Sequence, residues 1–299
     1  MSLYRSSKIW SGKSVRGNRT TLSGKRGRSG PGMLLLWLRK VPKRQAMRIE
    51  SQVALITGAS SGIGQALAAE LSQRGARLAL TARSITPQAP HLTVPGDLTD
   101  PDFRRHLIET TLAHYGRIDI LINNAGVGLY QPSWQANDEA VRHMFELNVF
   151  APVHLAQLTV PGMRERRHGM VVNIGSIASK VTLPWFTLYS ATKHALESFT
   201  DGLRMENADS GLKTMLVCPG YVKTKFQQNV LIGRPPDELA SGRRFATTAP
   251  ALACAIADGI ARDRRQVLHP AAGWALVAGW RTVPRLIERV FQKLQRDHK

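Results

Sequence analysis

Between residues 50 and 270, short apolar runs alternate with longer segments whose apolar residues recur at helical spacing. The apolar runs predict strands at 53–57, 77–81, 92–95, 118–122, 170–175 and 214–218, with a candidate seventh near 266–269. The longer segments predict helices at about 63–74, 102–115, 137–161, 187–210 and 247–262. Because strands and helices alternate, we expect an α/β fold, a single domain with a doubly wound parallel sheet and helices on both faces.

One connection departs from this alternation. Only 13 residues separate Arg83 from Asp97, and the segment 86–90 within it, Thr-Pro-Gln-Ala-Pro, is a poor helix former. We therefore expect the helix between the second and third strands to be missing or reduced to a turn.

The composition is that of one large domain. The chain has 299 residues, of which 43% are apolar, and can bury a single sizeable core. Its two cysteines, Cys218 and Cys254, give no disulfide framework and fit a reducing compartment, so we expect a cytoplasmic protein. Cys218 lies in an apolar run and is expected to be a small buried side chain. The nine histidines show no metal-ligand spacing, and no metal site is predicted.

The net charge of +20 is divided unevenly along the chain. Residues 1–46 hold 12 Lys and Arg and no acid, which leaves a net charge of only +8 on the remainder. This segment lacks sustained periodicity and is expected to be a disordered basic extension. A basic arm could bind nucleic acid or an anionic membrane, but Met47 lies just ahead of the first strand, so we favour an upstream extension without a role, such as a misassigned start. No nucleic-acid partner is expected.

A glycine-rich loop, Thr57-Gly58-Ala59-Ser60-Ser61-Gly62-Ile63-Gly64, joins the first strand to the first helix. In this context Gly58 permits a tight turn, Gly62 lets the backbone approach a pyrophosphate, and Gly64 allows close packing of helix on strand. The pyrophosphate would lie at the helix N-terminus, where free N–H groups favour an anion. The alternative is a glycine-rich turn without a ligand.

Tyr189 and Lys193 are the candidate reactive pair. Their spacing of four residues puts both side chains on one face of a helix. A nearby cation favours a phenolate, so Lys193 is expected to lower the pKa of Tyr189 from its ordinary value of about 10. Ser176 follows the strand predicted at 170–175, and strand ends are where open α/β sheets carry their chemistry.

With this loop and these three residues in this order, the chain resembles the short-chain dehydrogenase/reductase family, and further segments agree. Asn123-Asn124-Ala125-Gly126 follows a strand, Asn148 lies in Glu146-Leu147-Asn148-Val149, and Pro219-Gly220-Tyr221-Val222-Lys223-Thr224 matches the family's Pro-Gly-x-Val-x-Thr segment. The resemblance runs from about Met47 to Thr224 and more loosely to about residue 270. It implies a Rossmann-type catalytic domain over 47–269, with the catalytic residues Asn148, Ser176, Tyr189 and Lys193.

The resemblance implies a nicotinamide cofactor, and the residues after the second strand indicate which one. An NAD enzyme normally places an acid there, whereas an NADP enzyme uses Arg. No acidic residue occurs between Glu70 and Asp97, and Arg83 can bond a 2′-phosphate with Ser84 as a second donor. We expect NADP(H) rather than NAD(H); an ordinary surface role for Arg83 is the alternative.

The positions expected to bind the cofactor combine the glycine loop, the ends of the second, third and fourth strands, the reactive pair and the segment after the sixth strand. They are Gly58, Ser60, Ser61, Gly62, Ile63, Gly64, Arg83, Ser84, Asp97, Leu98, Asn124, Ala125, Gly126, Tyr189, Lys193, Pro219, Gly220, Val222 and Thr224.

The resemblance also assigns roles in the reaction. Tyr189 would pass a proton to or from the substrate oxygen, which Ser176 would polarise. Lys193 would hold the nicotinamide ribose, and Asn148 would order a water that links Lys193 to solvent. The family further implies a small carbonyl or alcohol substrate and a homodimer or homotetramer. A non-catalytic NADP-binding regulatory or interaction protein is the alternative function; such proteins typically lack the tyrosine or the lysine.

The substrate pocket is expected between residues 181–186 and a cap at 225–247. Leu183, Pro184, Trp185 and Phe186 are apolar and indicate a lipophilic carbonyl or alcohol, although the same side chains could serve only to pack the cap. The sequence does not identify the substrate.

The C-terminal segment, 270–299, is apolar at first and then basic and amphipathic. Its apolar part is too short to span a bilayer. Arg281, Arg285 and Arg289 then recur every four residues, while Leu286, Ile287, Val290, Phe291 and Leu294 occupy another face. An interfacial anchor at a membrane surface is one interpretation, which would make the protein peripheral. A helix packed over the substrate entrance or against a second subunit is the other.

Overall fold

The computed structural model describes residues 46–233 and 246–296, and side chains as far as residue 292. The predicted basic extension and the middle of the predicted cap, 234–245, lie outside the described residues. The strands are β1 (Val53–Thr57), β2 (Arg77–Thr81), β3 (Leu92–Thr93), β4 (Ile120–Asn123), β5 (Gly169–Ile174), β6 (Leu212–Pro219), β7 (Val222–Lys223), β8 (Thr247–Thr248) and β9 (Gln266–His269).

Seven of these strands form one sheet in the order β3-β2-β1-β4-β5-β6-β9, and every pair is parallel. The helices that connect them are α1 (Gly62–Gln73), α2 (Pro101–Tyr115), α3 (Asp138–Phe145), α4 (Ala151–Glu165), α5 (Thr187–Glu206), α6 (Ala249–Ala261), α7 (Gly273–Thr282) and α8 (Pro284–Arg296). The predicted doubly wound α/β fold is confirmed, and the candidate seventh strand of the sheet is β9.

Both faces of the sheet are buried because the side chains of a strand alternate between them. Ala54 and Ile56 of β1 pack with α1 and α6, whereas Leu55 packs with α2 and α4 on the other face. Near-continuous apolar runs are the sequence pattern that such a doubly covered sheet requires. Cys218 of β6 is fully buried, as its apolar run predicts.

The connection between β2 and β3 has no helix. Residues 82–91 run in extended and turn conformations, with the N–H of His91 donating to the carbonyl of Gln88 at 2.8 Å. The two prolines in this stretch each lack a backbone donor, which explains why no helical turn forms.

Two predicted helices have different bounds in the structure. The segment 137–161 is not one helix: a π turn, Glu146–Phe150, separates α3 from α4, and α4 continues through Pro161 to Glu165. The segment predicted at 187–210 ends at Glu206, because the Asn207 amide donates to the carbonyl of Leu203 and starts a turn. Neither break has a Gly or Pro signal at the position where it occurs.

The fourth strand also begins two residues later than predicted. The N–H of Asp119 donates to the Val53 carbonyl at 2.9 Å, and its carboxylate accepts from the Val53 N–H at 2.9 Å. The same carboxylate forms an ion pair with Arg117, with Nε 3.0 Å away. Because a side chain supplies one of these bonds to β1, regular pairing starts only at Ile120.

The order of the strands determines where a ligand can lie. β1 pairs with β2 on one side and with β4 on the other, so the chain winds outward from β1 in both directions. The carboxyl ends of β1, β4, β5 and β6 therefore meet around one crevice, which is where ligands bind in open α/β sheets.

The C-terminal segment forms α7 and α8 after the sheet ends at His269. Val277 of α7 is buried with Val181, Leu216 and Leu268, so the segment is attached to the edge of the sheet near β9. Within residues 46–233 and 246–296, no helix is long and apolar enough to cross a bilayer.

A buried chain of hydrogen bonds ties α5 to the centre of the sheet. The Asn123 amide of β4 donates to Asn173 Oδ1 of β5 at 2.8 Å, and Asn173 Nδ2 donates to the Thr200 hydroxyl of α5 at 2.8 Å. All three side chains are almost fully buried. Because buried polar groups are costly when unpaired, this chain holds α5 in one register over the strands.

Replacing Asn173 tests this role. Asn173→Ala removes the partner of two buried groups and should lower the free energy of unfolding by about 1–3 kcal/mol, measured by urea denaturation. Asn229→Ala, at an exposed position, is the matched control and should change it by less than about 0.5 kcal/mol. Equal effects from the two variants would show that the buried bonds do not stabilise the fold.

Candidate active site

Tyr189 and Lys193 lie one turn apart on α5 and face the crevice from within the protein. Both side chains are buried, with 6% and 4% of their surface exposed. Lys193 Nζ lies 5.5 Å from the centre of the Tyr189 ring and donates to the carbonyl of Ile174, at the end of β5, at 2.9 Å. The helical spacing thus brings the predicted pair together against the end of a strand.

Ser176 follows β5 and is held by a local turn at 177–179. Its hydroxyl accepts from the N–H of Ala178 at 3.1 Å, and its own N–H donates to the Ser179 hydroxyl at 3.2 Å, which forms a capping box. The Ser176 hydroxyl also lies close enough to the phenol of Tyr189 to act on its pKa, which it lowers against the larger effect of burial. The structure therefore joins the three predicted reactive groups at the ends of β5 and α5.

Burial controls the protonation of this pair. Burial raises the pKa of Tyr189 well above its ordinary value, and the nearby hydroxyl of Ser176 only partly offsets this. Burial also lowers the pKa of Lys193 to about 8, although Cys218 acts to raise it. The expected net lowering of the phenol's pKa is therefore wrong for this structure, because the cost of burying a phenolate decides the direction of the shift.

Asn148 lies in the π turn, where its side chain is fully paired with its surroundings. Its Oδ1 accepts from the N–H of Val127 at 2.9 Å, and its Nδ2 donates to the Val127 carbonyl at 2.9 Å and to the Thr192 hydroxyl at 3.1 Å. A Cβ atom on Gly126 would lie 3.0 Å from Asn148 Oδ1 and 3.6 Å from Lys193 Nζ. Asn148 thus joins the end of β4 to α5 beside the lysine.

The glycine loop is braced from the next strand. Asn124 Nδ2 donates to the carbonyls of Thr57 and Gly58 at 2.8 and 3.1 Å, and the Thr57 hydroxyl accepts from the N–H of Asn124 at 2.9 Å. A Cβ atom on Gly64 would approach the Gly58 carbonyl to 2.2 Å, so only glycine fits where α1 starts. Asn124 therefore acts here as a brace of the turn.

The residues around this turn fit a dinucleotide. Gly62 has a φ of +57°, and a Cβ atom on it would meet the Thr224 side chain at 3.3 Å, so the turn and the segment after β6 approach each other closely. Ser61 at the N-cap of α1 makes no side-chain bond to the helix, which leaves the helix N–H groups available to a phosphate. Ser60 and Ser61 are exposed beside it, and Ile63 is partly buried.

The residues predicted to bind a 2′-phosphate lie just after the end of β2. The N–H of Ala59 donates to the Thr81 carbonyl at 3.1 Å, which places the glycine loop against this strand end. Arg83 and Ser84 follow it and are exposed. Burial acts to raise the pKa of Asp97, but hydrogen bonds from Thr99 and the charge of Arg83 lower it overall, so Arg83 lies within electrostatic reach of Asp97.

The remaining predicted cofactor positions divide between surface and core. Gly220, Val222 and Thr224 are partly buried along the crevice, as are Asn124, Ala125 and Gly126. Pro219 is buried at the end of β6, and Leu98 is buried in the core with α2 and α4, so its side chain packs the fold.

Aromatic rings surround the phenol of Tyr189. Phe186 stacks on its ring with centroids 4.0 Å apart, and Tyr130 stacks on the other face of Phe186 at 4.1 Å. Phe226 lies 5.8 Å away at a tilt, and Leu231 and Ile232 complete this apolar cluster. The described ends of the predicted cap thus pack around the reactive phenol.

Several residues that shape the site were not predicted from the sequence. Thr192 and Tyr130 contact Asn148 and Phe186, which are distant in the chain, so no local pattern marks them. Ser179 could have been found, because Ser176-Ile-Ala-Ser179 has the spacing of a capping box. Trp185 has a φ of +55°, which is unusual for a bulky residue and sets the direction in which Phe186 leaves the backbone.

This fold and this site define a nicotinamide-dependent oxidoreductase on a Rossmann-type sheet, and comparisons agree. A family model described as short chain dehydrogenase matches residues 52–234. A relative from Anopheles gambiae, named Dehydrogenase/reductase SDR family protein 7-like, is 33% identical over 261 residues, which are 80% of this chain and 81% of that protein. The chain therefore belongs to the short-chain dehydrogenase/reductase family and is an oxidoreductase acting on CH–OH or C=O groups.

Two solved structures share the fold. A short-chain dehydrogenase from Burkholderia cenocepacia in complex with NADP is 26% identical with a TM-score of 0.70, and 82% of this chain aligns with 99% of that one. A short-chain dehydrogenase/reductase from Burkholderia phymatum in complex with NAD is 24% identical with a TM-score of 0.71, covering 80% of this chain and 96% of that one. The two complexes hold different nicotinamide cofactors, and what this chain shares with both of them is the fold.

The lowered pKa of Lys193 predicts a pH-dependent contribution to stability. Between about pH 8 and about pH 10.5 the unfolded chain binds a proton at this lysine that the folded protein has released, so the contribution rises with pH across this window. Lys193→Met lacks this rise. The difference in unfolding free energy, wild type minus variant, should therefore increase by up to about 3 kcal/mol from pH 8 to pH 10.5 in urea denaturation.

Lys225→Met, at an exposed position, is the matched control for the loss of a lysine. A flat difference for Lys193→Met would mean that burial does not shift this lysine.

Proposed function

We propose that the protein is an NADP(H)-dependent oxidoreductase that interconverts a lipophilic carbonyl compound and its alcohol, with Tyr189 as the proton donor and acceptor. The observation that carries this proposal is the meeting of the Ser176 hydroxyl, the Tyr189 phenol and the Lys193 ammonium beside an apolar cluster at the crevice. When bound, the nicotinamide supplies or accepts the hydride.

Side chains of the protein transfer the proton to the substrate and stabilise the negative charge that develops on its oxygen. In reduction, the phenol of Tyr189 transfers its proton to the carbonyl oxygen, while the hydroxyl of Ser176 donates a hydrogen bond to the same oxygen and stabilises its developing charge. Lys193, buried beside the phenol, stabilises the phenolate that remains. Asn148 keeps α5 in position next to the lysine through Val127 and Thr192.

The raised pKa of Tyr189 favours reduction at neutral pH. Burial keeps the phenol protonated, which is the form that reduction needs, whereas oxidation needs the phenolate. The same residue therefore supports both directions, and a rise in pH shifts the balance towards oxidation.

A lipophilic substrate is supported by what surrounds the phenol. The apolar cluster contains Phe186, Phe226, Leu231 and Ile232, together with Leu183 of the loop predicted to line the pocket. A polar substrate would lose its hydration against these side chains without gaining hydrogen bonds, whereas an apolar one gains free energy in proportion to the area it buries.

NADP(H) is supported by charge at the end of β2. Arg83 is exposed beside the glycine loop, and Asp97, a carboxylate within its electrostatic reach, already accepts two hydrogen bonds from Thr99 at 2.8 and 2.9 Å. A guanidinium group available to a 2′-phosphate favours the phosphorylated cofactor, whereas a ribose hydroxyl needs an acceptor there.

Replacing Tyr189 tests the proton transfer. Tyr189→Phe keeps the ring and its stacking but removes the proton, so turnover of an accepted carbonyl with NADPH should fall by at least about a hundredfold, while NADPH binding stays nearly unchanged. Tyr115→Phe, on α2 and outside the crevice, should retain turnover. Near-normal rates for Tyr189→Phe would contradict the assignment, and a wild type that binds NADPH without turning over any carbonyl would favour the non-catalytic alternative.

Replacing Arg83 tests the cofactor. Arg83→Ala should weaken NADPH binding by about 1.5–3 kcal/mol, roughly 10- to 150-fold, because a hydrogen bond to a charged group is lost, and should leave NADH binding unchanged. Calorimetric titration measures both constants, with exposed Arg262→Ala as the control. A wild type that prefers NADH would contradict the argument from charge.

A further inference from the structure

The C-terminal helices form a pair in which only one side is packed. Val277 of α7 is 2% exposed and anchors the pair on the sheet. α8 packs against α7 through Ile287, whose side chain lies 3.4 Å from where a Cβ atom on Gly279 would be, and through Phe291, whose ring lies 6.4 Å from that of Trp280. These contacts determine which face of α8 points away from the protein.

The outward face carries a row of apolar side chains. Leu286 and Val290 lie one turn apart on α8, Val283 immediately precedes the helix, and the three are 57%, 50% and 46% exposed. Single exposed apolar residues are ordinary, but three close together at one helix form an apolar strip. Within the described residues, nothing covers this strip.

Positive charge flanks the strip on α8. Arg285 and Arg289, one turn apart, are exposed and, among the described residues, neither forms an ion pair with a carboxylate. One acidic residue, Glu288, lies on this helix. We name the strip and these two arginines together the α8 surface.

We infer that the α8 surface docks on an anionic lipid membrane, with Val283, Leu286 and Val290 entering the interface and the arginines meeting the headgroups. An apolar row beside a basic row is the arrangement of helices that lie in the plane of a membrane surface. Arginine forms bidentate bonds with phosphate, so the charges complement phospholipid headgroups.

A second copy of this chain fits the α8 surface less well. A symmetric contact through this strip would bring the arginines of both copies together, with only Glu288 on each side to offset them. Three half-exposed side chains also fall short of the roughly 800 Å² per partner that a stable interface buries. A weak, reversible contact with a membrane needs no such area.

The α8 surface also lies near the reactive phenol. A groove of about 250 Å³ separates Trp280 and Phe291 of the helix pair from Pro184, in the 181–186 substrate loop, and from Thr187 at the start of α5. Leu183 of the same loop packs with both the cluster around Tyr189 and the cluster beneath α7. A membrane at the α8 surface would therefore adjoin the side of the molecule that carries the apolar pocket.

The test is partitioning of the full chain onto vesicles of equal parts phosphatidylserine and phosphatidylcholine, titrated at about 0.01 M and about 1 M salt. Leu286→Ser/Val290→Ser should lower the partition coefficient about tenfold at both salt concentrations, because the apolar contribution is lost. Arg285→Gln/Arg289→Gln should lower it several-fold at low salt only, because headgroup attraction is screened at high salt.

Matched controls lie elsewhere on the surface. Leu112→Ser and Arg164→Gln/Arg262→Gln remove exposed apolar and basic groups of other helices and should leave the partition coefficient unchanged. Circular dichroism and light scattering of each variant report its folding and its oligomeric state. The arginine variants change only exposed side chains, so they test the proposal even if the serine variants unfold.

Two results would overturn the inference. If all variants bind like wild type, the basic residues of 1–46, present in every protein compared, hold the chain on the vesicles and the α8 surface does not. If wild type does not bind vesicles and Leu286→Ser/Val290→Ser dissociates a dimer, the strip is a contact between copies. Binding that both α8 variants weaken while the controls do not supports the membrane as the partner.

Discussion

Parallel pairing of β1 with both β2 and β4 is the constraint on which the site depends. Parallel strands must be joined by crossover connections, and here the crossovers run from β1 to β2 on one side and later to β4 on the other. The loops that follow β1 and β4 therefore separate and leave a crevice between them. The glycine turn after β1, the Asn123–Gly126 segment after β4 and Ser176 after β5 then border one crevice. The sheet therefore brings each of these strand ends to the same place.

Burial at this crevice shifts the pKa values of the two reactive groups, Lys193 and Tyr189. The ammonium of Lys193 lies in the protein interior with the Ile174 carbonyl as its hydrogen-bond acceptor, and this lowers its pKa to about 8 through the cost of burying its charge. Burial raises the pKa of the Tyr189 phenol for the same reason. Burial therefore shifts each group towards its neutral form, yet a pKa of about 8 leaves Lys193 mostly protonated at neutral pH, and its ammonium attracts a negative charge on the substrate oxygen or the phenol.

The sequence predicted the sheet, its order of elements and the members of the site, because these follow from periodicity and from motifs whose residues are close in the chain. It did not predict the π turn at Glu146–Phe150 or the late start of β4, since those depend on Asn148 and Asp119 bonding to residues of other segments. The direction of the Tyr189 pKa shift was also missed. Helical spacing shows that a cation is near, but only the packed structure shows how little water remains around both groups.

Leu183 packs between the reactive phenol and the C-terminal helices. It packs on one side with Phe186 and Tyr189 and on the other with the cluster that anchors α7, so the substrate loop is held between the phenol and the C-terminal helices. A displacement of α7 and α8 would remove apolar support from this loop and so from the ring stacked on Tyr189. Since packed cores transmit shifts between neighbouring side chains, the position of the C-terminal helices and the shape of the pocket are mechanically coupled.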